Sequence, residues 1–593
     1  MAVPAWVSSR RRRPGAGGTK LLLGLAALAV AFAAADTYVV VLALPEMMAA
    51  SGLSGEDLQR GAPIISGFLL GYVAVLPLAG RLSDLRGRIP VLVGSLVLFS
   101  LGSLVTAAAY DLTFVVTGRV LQGLGAGGLL PATLALVADL YPPRDRGIPL
   151  GVVGAVQEFG NVVGPLYGAA VLAVGSWRDI FLINLAAGLA LAALLRHRAR
   201  TEGHPVPSLG RPDWLGWSLA VVAVAAVLLV MRQPGRLRED LLLGAAFTPL
   251  VGGGRWTSPL ALAAAVAVLL LVARCVWARD PLLDLRAWGR VLAQVDVLGA
   301  SLLTVGLGGV ILAFGTADAR EGVLAPGGPW LLVASALALT AFWRRSRSVP
   351  HPLLPVGTLS ATPAWGALVV SFFVGAGLIA ALVDIPVCAR LVLRGETQLT
   401  AALVLVRFLI GLPVGAFLGG WLTRRFAAGG VTALGMALAG GGFAWMSTWG
   451  VTALESPVAT VPLFAAGAGI GLAMAPVNAA LLAASDDAVH GVASGLLVAA
   501  RTVGKLVGIS VLTAVGLSRL YAAQRGLPGP REVCADGASR CAEYTALLRD
   551  AGLTQVQTIF LGAAVCCVIA GLVALVVFRD AETRHVRPTT LGL

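Results

Sequence analysis

Long apolar stretches separated by short polar or glycine-rich turns run through almost the whole chain. A helix that crosses a bilayer needs about 20 mostly apolar residues, and sixteen stretches of about that length can be counted, with fourteen as the alternative count. They fall into a first six, a middle four and a last six. The predicted helices cover 20–47, 59–81, 90–109, 113–139, 148–173 and 178–196, then 214–231, 258–276, 293–316 and 329–344, then 363–390, 399–424, 431–450, 457–484, 488–518 and 556–578.

The composition excludes an ordinary soluble domain. Of 593 residues, 58% are hydrophobic and 12% are charged, and the mean hydropathy is +0.87. Soluble domains carry about a quarter charged residues. The first stretch follows the basic run Arg10–Arg13 and Lys20 without a small-residue cleavage pattern, so we interpret it as a membrane helix rather than a signal peptide. We therefore expect an all-α polytopic membrane protein.

Most of the net charge of +14 lies at the ends of apolar stretches. Cytoplasmic loops of membrane proteins are enriched in arginine and lysine, which predicts that both termini lie in the cytoplasm. The abundance of alanine, glycine, valine and arginine with little lysine suggests a bacterium, so we expect a bacterial cytoplasmic (inner) membrane protein. Arg232–Arg238 is the exception, since the topology places it outside. No basic face or aromatic-basic repeat supports nucleic-acid binding. The basic turns on the predicted cytoplasmic side contain Arg10–Arg13, Arg81, Arg86, Arg88, Arg144, Arg146, Arg196, Arg198, Arg200, Arg286, Arg290, Arg344, Arg345, Arg347, Arg424, Arg425, Arg579 and Arg584.

The spans and loops predict five regions. Two six-helix bundles flank a set of about four inserted helices, and the second bundle carries an extracytoplasmic loop at 519–555. The regions are a basic cytoplasmic N-terminus at 1–19, the first bundle at 20–196, the inserted linker helices at 197–362, the second bundle at 363–578 and a cytoplasmic tail at 579–593.

Internal repeats indicate that the two bundles are related. The turn Gly80–Arg88 follows the second helix of the first six, and the similar turn Gly419–Arg425 follows the second helix of the last six. Two halves with a matched turn are typical of pseudo-symmetric transporters. In the middle group, Asp213–Gly216 and Asp296–Gly299 open two similar hairpins, which predicts a duplicated insertion. Chance similarity among helices rich in leucine, alanine and glycine is the alternative.

Five motifs in order carry a resemblance to a known family. The turn Gly80–Arg88 resembles the signature between helices 2 and 3 of the major facilitator superfamily. The others are the helix-1 element Asp36–Val41 of the 14-helix drug:proton antiporter family, the helix-4 element with Arg119 and Gln122–Ala126, the helix-5 antiporter element Gly154–Gly168, and the helix-6 start Trp177–Phe181 with Asn184. The resemblance covers nearly the whole chain and implies two facing six-helix bundles.

Further stretches resemble the mycobacterial triacylglyceride exporters that work with a periplasmic lipoprotein. They are Asp36–Val41, Gln157–Gly168, Leu382–Asp384, Pro413–Ala416 and Gly491–Gly516. Two features depart from those exporters, namely four inserted helices in place of two, and the charges Arg407 and Lys505. The likeness implies a lipid or lipophilic substrate, while the departures leave the identity of the substrate open.

Ionisable groups within membrane helices are the main functional candidates, because each costs about 3 kcal/mol on insertion scales. Asp36 and Glu158 are predicted to load and release protons, with a permanently ionised structural role as the alternative. Asp384 is predicted to be a proton relay or an outer gate, or a group that snorkels to the interface. Arg119 is predicted to tune the acids near it.

A pair between the two halves is predicted from helix depth. Glu158 and Arg501 lie about ten and thirteen residues into their helices, so their depths agree within about 5 Å. We expect an ion pair that closes one state, with pairing inside each half as the alternative. Lys505 lies one turn beyond Arg501 and is expected to line the same wall; Arg407 and Gln157 complete the candidate cavity.

Glycines and charges in the turns have expected mechanical roles. Gly80, Arg81, Asp84, Gly87 and Arg88 are predicted to form a cytoplasmic gate. The antiporter element contains Gly154, Gly160, Gly164, Pro165 and Gly168, where small residues permit close helix packing and proline bends the helix; packing alone accounts for most of that pattern.

The cysteines divide by location. Cys534 and Cys541 lie in the predicted outer loop, where an oxidising compartment favours a disulfide. The helical flanks Leu517–Arg525 and Glu543–Ala551 suggest that the last two membrane helices extend beyond the bilayer. Metal binding is not expected, because no histidine or further cysteine is near. The remaining cysteines, expected to act as small hydrophobic residues, are Cys275, Cys388, Cys566 and Cys567.

The resulting function is proton-coupled export of a hydrophobic or amphiphilic molecule by alternating access. The resemblance favours a lipid, triacylglyceride or glycolipid, and the alternative is a multidrug:proton antiporter that acts as an efflux pump for lipophilic or cationic drugs. A membrane enzyme is not expected, since no phosphate-cradling loop or nucleophile–base pair is present. An uncoupled scramblase or channel is a third class. We expect a monomer without a cofactor, driven by the proton gradient.

Overall fold

The computed structural model describes most of the chain between residue 16 and residue 581. The basic N-terminus through residue 15, including Arg10–Arg13, and Arg584 of the tail lie outside the described residues. The described ranges are 16–53, 58–61, 63–202, 213–240, 243–251, 254–278, 281–317, 322–350, 352–355, 357–393, 398–534, 541–579 and residue 581.

Sixteen long helices build the described part of the chain, and it contains no strand. In chain order, α1–α6 are Ala16–Ala50, Pro63–Arg86, Arg88–Ala108, Leu112–Leu140, Gly147–Val174 and Trp177–Thr201; α7–α10 are Trp214–Arg232, Pro259–Trp277, Val297–Gly315 and Gly328–Ser348; and α11–α16 are Thr362–Val392, Gln398–Leu422, Ala428–Met446, Thr460–Ala483, His490–Arg525 and Ala542–Val577. Each lies where a membrane helix is predicted.

Fourteen of the described helices are long and apolar enough to cross a membrane, which fits the alternative count. The two others are α5 and α10. α5 is less apolar because it carries Gln157, Glu158 and Asn161 among its glycines, yet it packs against α1 and α12 inside the bundle. α10 ends in a basic run that includes Arg345 and Arg347. Both helices owe their lower hydropathy to polar side chains at particular positions.

The two six-helix groups pack in the same way. In the first group α1 packs on α5, α2 and α3 pack on α4, and α3 packs on α6; in the second, α11 packs on α15, α12 and α13 pack on α14, and α13 packs on α16. One apolar core is built from α11–α16, and a second mostly from α1–α6. The predicted internal repeat is therefore present as a pseudo-symmetric pair of bundles. The domain boundaries stay a prediction.

Glycines at equivalent positions allow the closest helix contacts in both bundles. A Cβ atom on Gly123 of α4 would lie 2.1 Å from the Phe68 carbonyl oxygen on α2. A Cβ atom on Gly467 of α14 would lie 2.0 Å from the Phe408 carbonyl oxygen on α12. Such distances leave no room for any side chain, so these positions require glycine.

The two inserted hairpins, α7–α8 and α9–α10, share their terminal geometry. Asp213 accepts the Gly216 N–H at 2.9 Å and Asp296 accepts the Gly299 N–H at 2.8 Å, so each aspartate caps the first helix of its hairpin. Arg274 at the end of α8 pairs with Asp213 at 3.0 Å. Arg345 of α10 pairs with Asp296 at 2.7 Å, which agrees with the predicted duplication.

The hairpins occupy different places. Hairpin α9–α10 lies beside α2 and α15: Thr304 donates to the Ala74 carbonyl at 3.1 Å, and Ser510 donates to the Val323 carbonyl. It therefore touches both bundles. Hairpin α7–α8 lies at the periphery, where α7 meets α3 over a short stretch. A short helix, Leu285–Ala293, joins the two hairpins and was not predicted.

The last two helices extend well beyond the predicted spans. α15 and α16 contain 36 residues each, about 54 Å at 1.5 Å per residue, whereas the bilayer core is about 30 Å thick. The flanks of the predicted loop at 519–555 are helical as expected, and the two helices leave 526–541 between them. Cys534 and Cys541 form a disulfide in this connection.

Candidate functional site

One end of the molecule is closed by contacts between α2 and α15. Asp84 accepts the Gly491 N–H at 2.9 Å and the Val492 N–H at 3.1 Å, so a carboxylate from the first bundle caps the N-terminus of α15. A Cβ atom on Gly80 would lie 2.3 Å from the Gly491 carbonyl oxygen. Asp84 and Gly80 belong to the predicted cytoplasmic gate.

Arg88 and Gly87 shape the turn that presents Asp84. Arg88 pairs with Asp84, with Asp139 at 3.2 Å and with the Ser83 hydroxyl at 3.1 Å. Gly87 has φ +97°, a left-handed conformation that favours glycine, and the chain reverses there between α2 and α3. Arg81 is half-buried in the last turns of α2.

The pseudo-symmetric contact between α12 and α5 closes the same end. A Cβ atom on Gly420 would lie 2.3 Å from the Gly147 carbonyl oxygen. Arg424 pairs with Asp145, just before α5, at 2.9 Å. Asp84 and Arg424 each lie four residues after the glycine that contacts the other half. The same spacing of a glycine and a charged residue therefore occurs at both contacts. The halves are therefore closed at the predicted cytoplasmic end.

We expect Gly80→Val to weaken this closed end, because backbone atoms at 2.3 Å cannot rotate out of the way. Spin labels are attached at the exposed positions Arg144 and Asp487, one on each half. Double electron–electron resonance then measures the distance between the two halves. The distance should lengthen in Gly80→Val. Gly430→Val is the matched control, since nothing lies within 4 Å of its Cβ position; the same distances in both variants would contradict the assignment.

Asp36 lies at the centre of a buried network in the first bundle. Arg119 donates from Nη1 to Asp36 Oδ2 at 2.6 Å, and Asn184 donates to Asp36 Oδ1 at 2.5 Å. Arg119 also donates to Gln122 Oε1 at 2.9 Å and lies over the Phe68 ring at 4.4 Å. Both members of the ion pair are almost fully buried, at 1% exposure each. Arg119 thus contacts Asp36 rather than Glu158.

Glu158 is buried with only one carboxylate oxygen satisfied. Its Oε2 accepts a hydrogen bond from Asn161 Nδ2, one turn along α5, at 2.8 Å. Its Oε1 has no hydrogen-bond partner. The side chain is 1% exposed. A buried carboxylate oxygen without a donor is costly, which makes this the least satisfied acid of the first bundle's described interior.

The predicted Glu158–Arg501 ion pair is not formed in this conformation and stays a prediction for another state. Arg501 donates from Nε to the Ser371 hydroxyl on α11 at 3.3 Å, while Asn161 holds Glu158. The two charges lie close enough to interact electrostatically, but both are described and no contact joins them. Each side chain is held by a neighbour in its own half, as the alternative interpretation has it.

Of the other predicted cavity residues, Arg407 contacts a neighbour in its own half, whereas the cavity role of Lys505 and Gln157 stays a prediction. Arg407 donates to the Thr460 hydroxyl at 3.4 Å, between α12 and α14. Lys505 and Gln157 are half-buried on α15 and α5. Asp384 on α11 is 3% exposed and lies one turn before Cys388, so it is a buried acid rather than a group that snorkels to the interface.

The antiporter motif is a ladder of close contacts. Cβ atoms on Gly160 and Gly164 would lie 2.1 and 2.4 Å from the carbonyl oxygens of Ala31 and Ala35 on α1. Gly168 faces Val39 at 2.6 Å, whereas Gly154 has room for a methyl group. Pro165 lies inside the helix. The ladder holds α1, and with it Asp36, directly against α5.

Sequence reasoning missed the matching ladder in the second bundle. Cβ atoms on Gly504 and Gly508 of α15 would lie 2.0 Å from the Phe372 carbonyl oxygen and 2.7 Å from the Ala376 Cα on α11. It also missed Asn161, which holds Glu158. The four-residue spacing of Gly160 and Gly164, repeated in Gly504 and Gly508, was the signal that would have revealed the second ladder.

Within the part of the chain that the structure describes, the cysteine, histidine and acidic side chains form no further binding site. Among the described residues, no group of three or more His, Cys, Asp or Glu side chains is placed to hold a metal ion. Cys275, Cys388 and Cys567 are buried and Cys566 is half-buried, all with free thiols, as expected for small hydrophobic residues.

Comparison with known proteins agrees with this architecture. A family model described as Major Facilitator Superfamily matches residues 26–509. The chain belongs to the major facilitator superfamily. Members of this superfamily include the proton:xylose symporter XylE, whose solved structure matches at a TM-score of 0.52 with 14% identity over 94% of both chains. At that identity the likeness shows the fold alone.

Curated relatives in this superfamily are more similar. A triacylglyceride transporter of Mycolicibacterium smegmatis is 32% identical over 584 residues, covering 95% of this chain and 89% of the relative. A triacylglyceride transporter of Mycobacterium tuberculosis is 31% identical over 580 residues, covering 95% and 96%. The expected family resemblance is confirmed, and this superfamily member is a transporter rather than an enzyme.

Proposed function

We propose that this protein is a proton-coupled secondary transporter that exports a hydrophobic or amphiphilic lipid, such as triacylglyceride or a glycolipid, by alternating access. The names of relatives that are 31–34% identical over most of their length support a lipid substrate. Multidrug:proton antiport is the alternative, and the substrate comparison described below distinguishes the two.

The observation that carries proton coupling is the unsatisfied oxygen of Glu158. Its Oε1 lies buried without a donor, about 17 Å along α5 from the closed end at 1.5 Å per residue. A proton from the extracytoplasmic side satisfies this oxygen and neutralises the charge. Asp36, by contrast, is saturated by Arg119 and Asn184, so Glu158 is the carrier and Asp36 is a second, more firmly held acid. Asp384 is a candidate relay in the other half.

Alternating access follows from the symmetric closed end. Asp84 and Arg424 hold the two halves together there by contacts that a rigid-body movement can break without unfolding a helix. When Glu158 releases its proton to the cytoplasm, its carboxylate can pair with Arg501. The two side chains already interact electrostatically in this conformation. The predicted ion pair then belongs to the state that is open to the cytoplasm.

The extended helices support release to an acceptor outside the membrane. α15 and α16 project about 20 Å beyond a bilayer core of about 30 Å, and the disulfide Cys534–Cys541 at their tip fits an oxidising compartment. We place both termini in the cytoplasm and the extension outside the bacterial cytoplasmic membrane. The transporter works as a monomer, and the extension is where an extracytoplasmic lipoprotein would receive lipid.

Transport by the reconstituted protein tests this function. Proteoliposomes loaded with a fluorescent triacylglyceride are given an imposed proton gradient, and transfer to an external lipid acceptor is recorded. We expect gradient-dependent transfer that ceases when a protonophore is added. Parallel vesicles are tested with ethidium. Ethidium efflux without lipid transfer would replace the lipid proposal by the drug antiporter.

A further inference from the structure

Arginines gather at the corner between α3 and α4, on the predicted extracytoplasmic end. Arg178, at the start of α6, donates from Nη2 to the Ala109 carbonyl at 3.1 Å. The Arg255 guanidinium, from the segment before α8, lies 4.1 Å from the centroid of the Tyr110 ring. Two cationic side chains from different parts of the chain therefore meet neighbouring residues of one turn.

Arg232 is the third member of this group. Arg255 donates from Nη1 to the carbonyl of Met231 at 2.8 Å, which places the end of α7 and Arg232 beside the same corner. The guanidinium groups of Arg232 and Arg178 are close enough to repel each other. We refer to Arg178, Arg232 and Arg255 as the basic corner. It includes the start of Arg232–Arg238, the basic run that the positive-inside rule does not explain.

The acidic residues near the basic corner are already engaged. Asp111 accepts the Phe114 N–H at 2.9 Å as the cap of α4. Asp179 accepts the backbone N–H of Ser176 at 2.7 Å and its hydroxyl at 3.0 Å, and it offsets part of the charge of Arg232. The Nε atom of Arg178 is buried without a hydrogen-bond partner. An anion placed between Arg178 and Arg232 would meet donors that no described carboxylate occupies.

Aromatic residues place the basic corner at the level of lipid headgroups. Trp256 stacks on Phe114 at 5.5 Å and donates from Nε1 to the Tyr110 hydroxyl at 3.0 Å. Tryptophan and tyrosine concentrate at membrane–water interfaces. Below this level α7 meets α3 over a short stretch only, and its side chains Val221 and Val222 remain exposed. The helix that carries Arg232 therefore presents apolar side chains that no described residue covers, with the cationic corner at its end.

We propose that the basic corner binds the phosphate of an anionic phospholipid in the extracytoplasmic leaflet, whose acyl chains fill the space between hairpin α7–α8 and the first bundle. The guanidinium fork matches a phosphate bidentately and is the preferred protein group for it. The bound phosphate offsets the repulsion between Arg178 and Arg232. The lipid thereby fastens a hairpin that has few direct contacts with the bundle.

Native mass spectrometry of the delipidated full-length protein tests the site. Phosphatidylglycerol, phosphatidylcholine and inorganic phosphate are added back separately. We expect retention of phosphatidylglycerol, and about 25-fold weaker binding in Arg178→Gln/Arg232→Gln, since each arginine near an anionic headgroup contributes about a fivefold factor. Arg236→Gln/Arg238→Gln is the matched control, because both arginines are exposed in the same connection, and it should bind like the wild type.

Three results would overturn the proposal. Equal retention of phosphatidylglycerol in the Arg178→Gln/Arg232→Gln variant would show that the corner does not hold it. Equal binding of phosphatidylcholine would remove the requirement for an anionic lipid, and binding of inorganic phosphate alone would make the site one for a free ion. Arg178→Lys/Arg232→Lys keeps the charge but not the guanidinium fork, so it should bind phosphatidylglycerol more weakly than the wild type and more tightly than the glutamine variant; binding as weak as in the glutamine variant would contradict the contribution of charge.

Discussion

Arg119→Ala is expected to destabilise the protein by about 3–5 kcal/mol, because it leaves the carboxylate of Asp36 buried without its cation. Both side chains are 1% exposed, and Arg119 also donates to Gln122 and to the Ile64 carbonyl. Thermal unfolding of the purified protein in detergent measures the loss. Arg390→Ala, which removes an exposed arginine of α11, is the matched control and should unfold close to the wild-type temperature.

A double variant separates the charge from the packing. Asp36→Asn in the Arg119→Ala background removes the orphaned charge, so we expect it to recover part of the lost stability. The recovery arises because an unpaired buried charge is more costly than a missing pair. Equal unfolding temperatures for Arg119→Ala and Arg390→Ala would contradict the structural role that the Asp36–Arg119 contact has here.

Glu158→Gln is expected to abolish proton-driven export while the protein stays folded. The amide oxygen of glutamine still accepts the hydrogen bond from Asn161, so the side chain keeps its shape and position but no longer titrates. Transfer of the fluorescent lipid under an imposed proton gradient is measured in proteoliposomes. Glu455→Gln, at an exposed position in the connection between α13 and α14, is the control and should export normally.

Retained lipid binding makes this result specific. We expect lipid to remain bound to the purified Glu158→Gln variant, because the change removes a proton site and leaves the apolar surroundings intact. Full gradient-dependent export by Glu158→Gln would rule out Glu158 as the proton carrier and direct attention to Asp36 or Asp384.

The membrane helices and the repeat were predictable because they depend on local patterns. A run of apolar residues identifies a membrane helix without knowledge of the helices that pack against it. The matched turns Gly80–Arg88 and Gly419–Arg425 indicated two related halves. The short helix Leu285–Ala293 was missed because its nine residues were absorbed into a loop and the start of the next predicted span. The extension of the last two helices was predictable from their helical flanks, Leu517–Arg525 and Glu543–Ala551, although apolar character ends at the bilayer.

The pairing of charges was not predictable from depth along a helix. Arg119 and Asp36 are 83 residues apart, and the packing of α1 against α4 and α5 brings them together. Glu158 and Arg501 have similar depths, but their local partners, Asn161 and Ser371, hold them apart. The depth of a residue along its helix gives only its level in the membrane. The direction in which its side chain points from the helix axis, and the conformational state of the protein, determine which residue it contacts.

The central claim is that lipid export is coupled to protons through Glu158. The most direct test records the internal pH of proteoliposomes with an entrapped dye while a lipid substrate and an external acceptor are present, without an imposed gradient. We predict a pH change that requires both lipid and acceptor and that disappears in Glu158→Gln. Lipid transfer without any pH change in the wild-type protein would contradict the coupling and indicate an uncoupled scramblase.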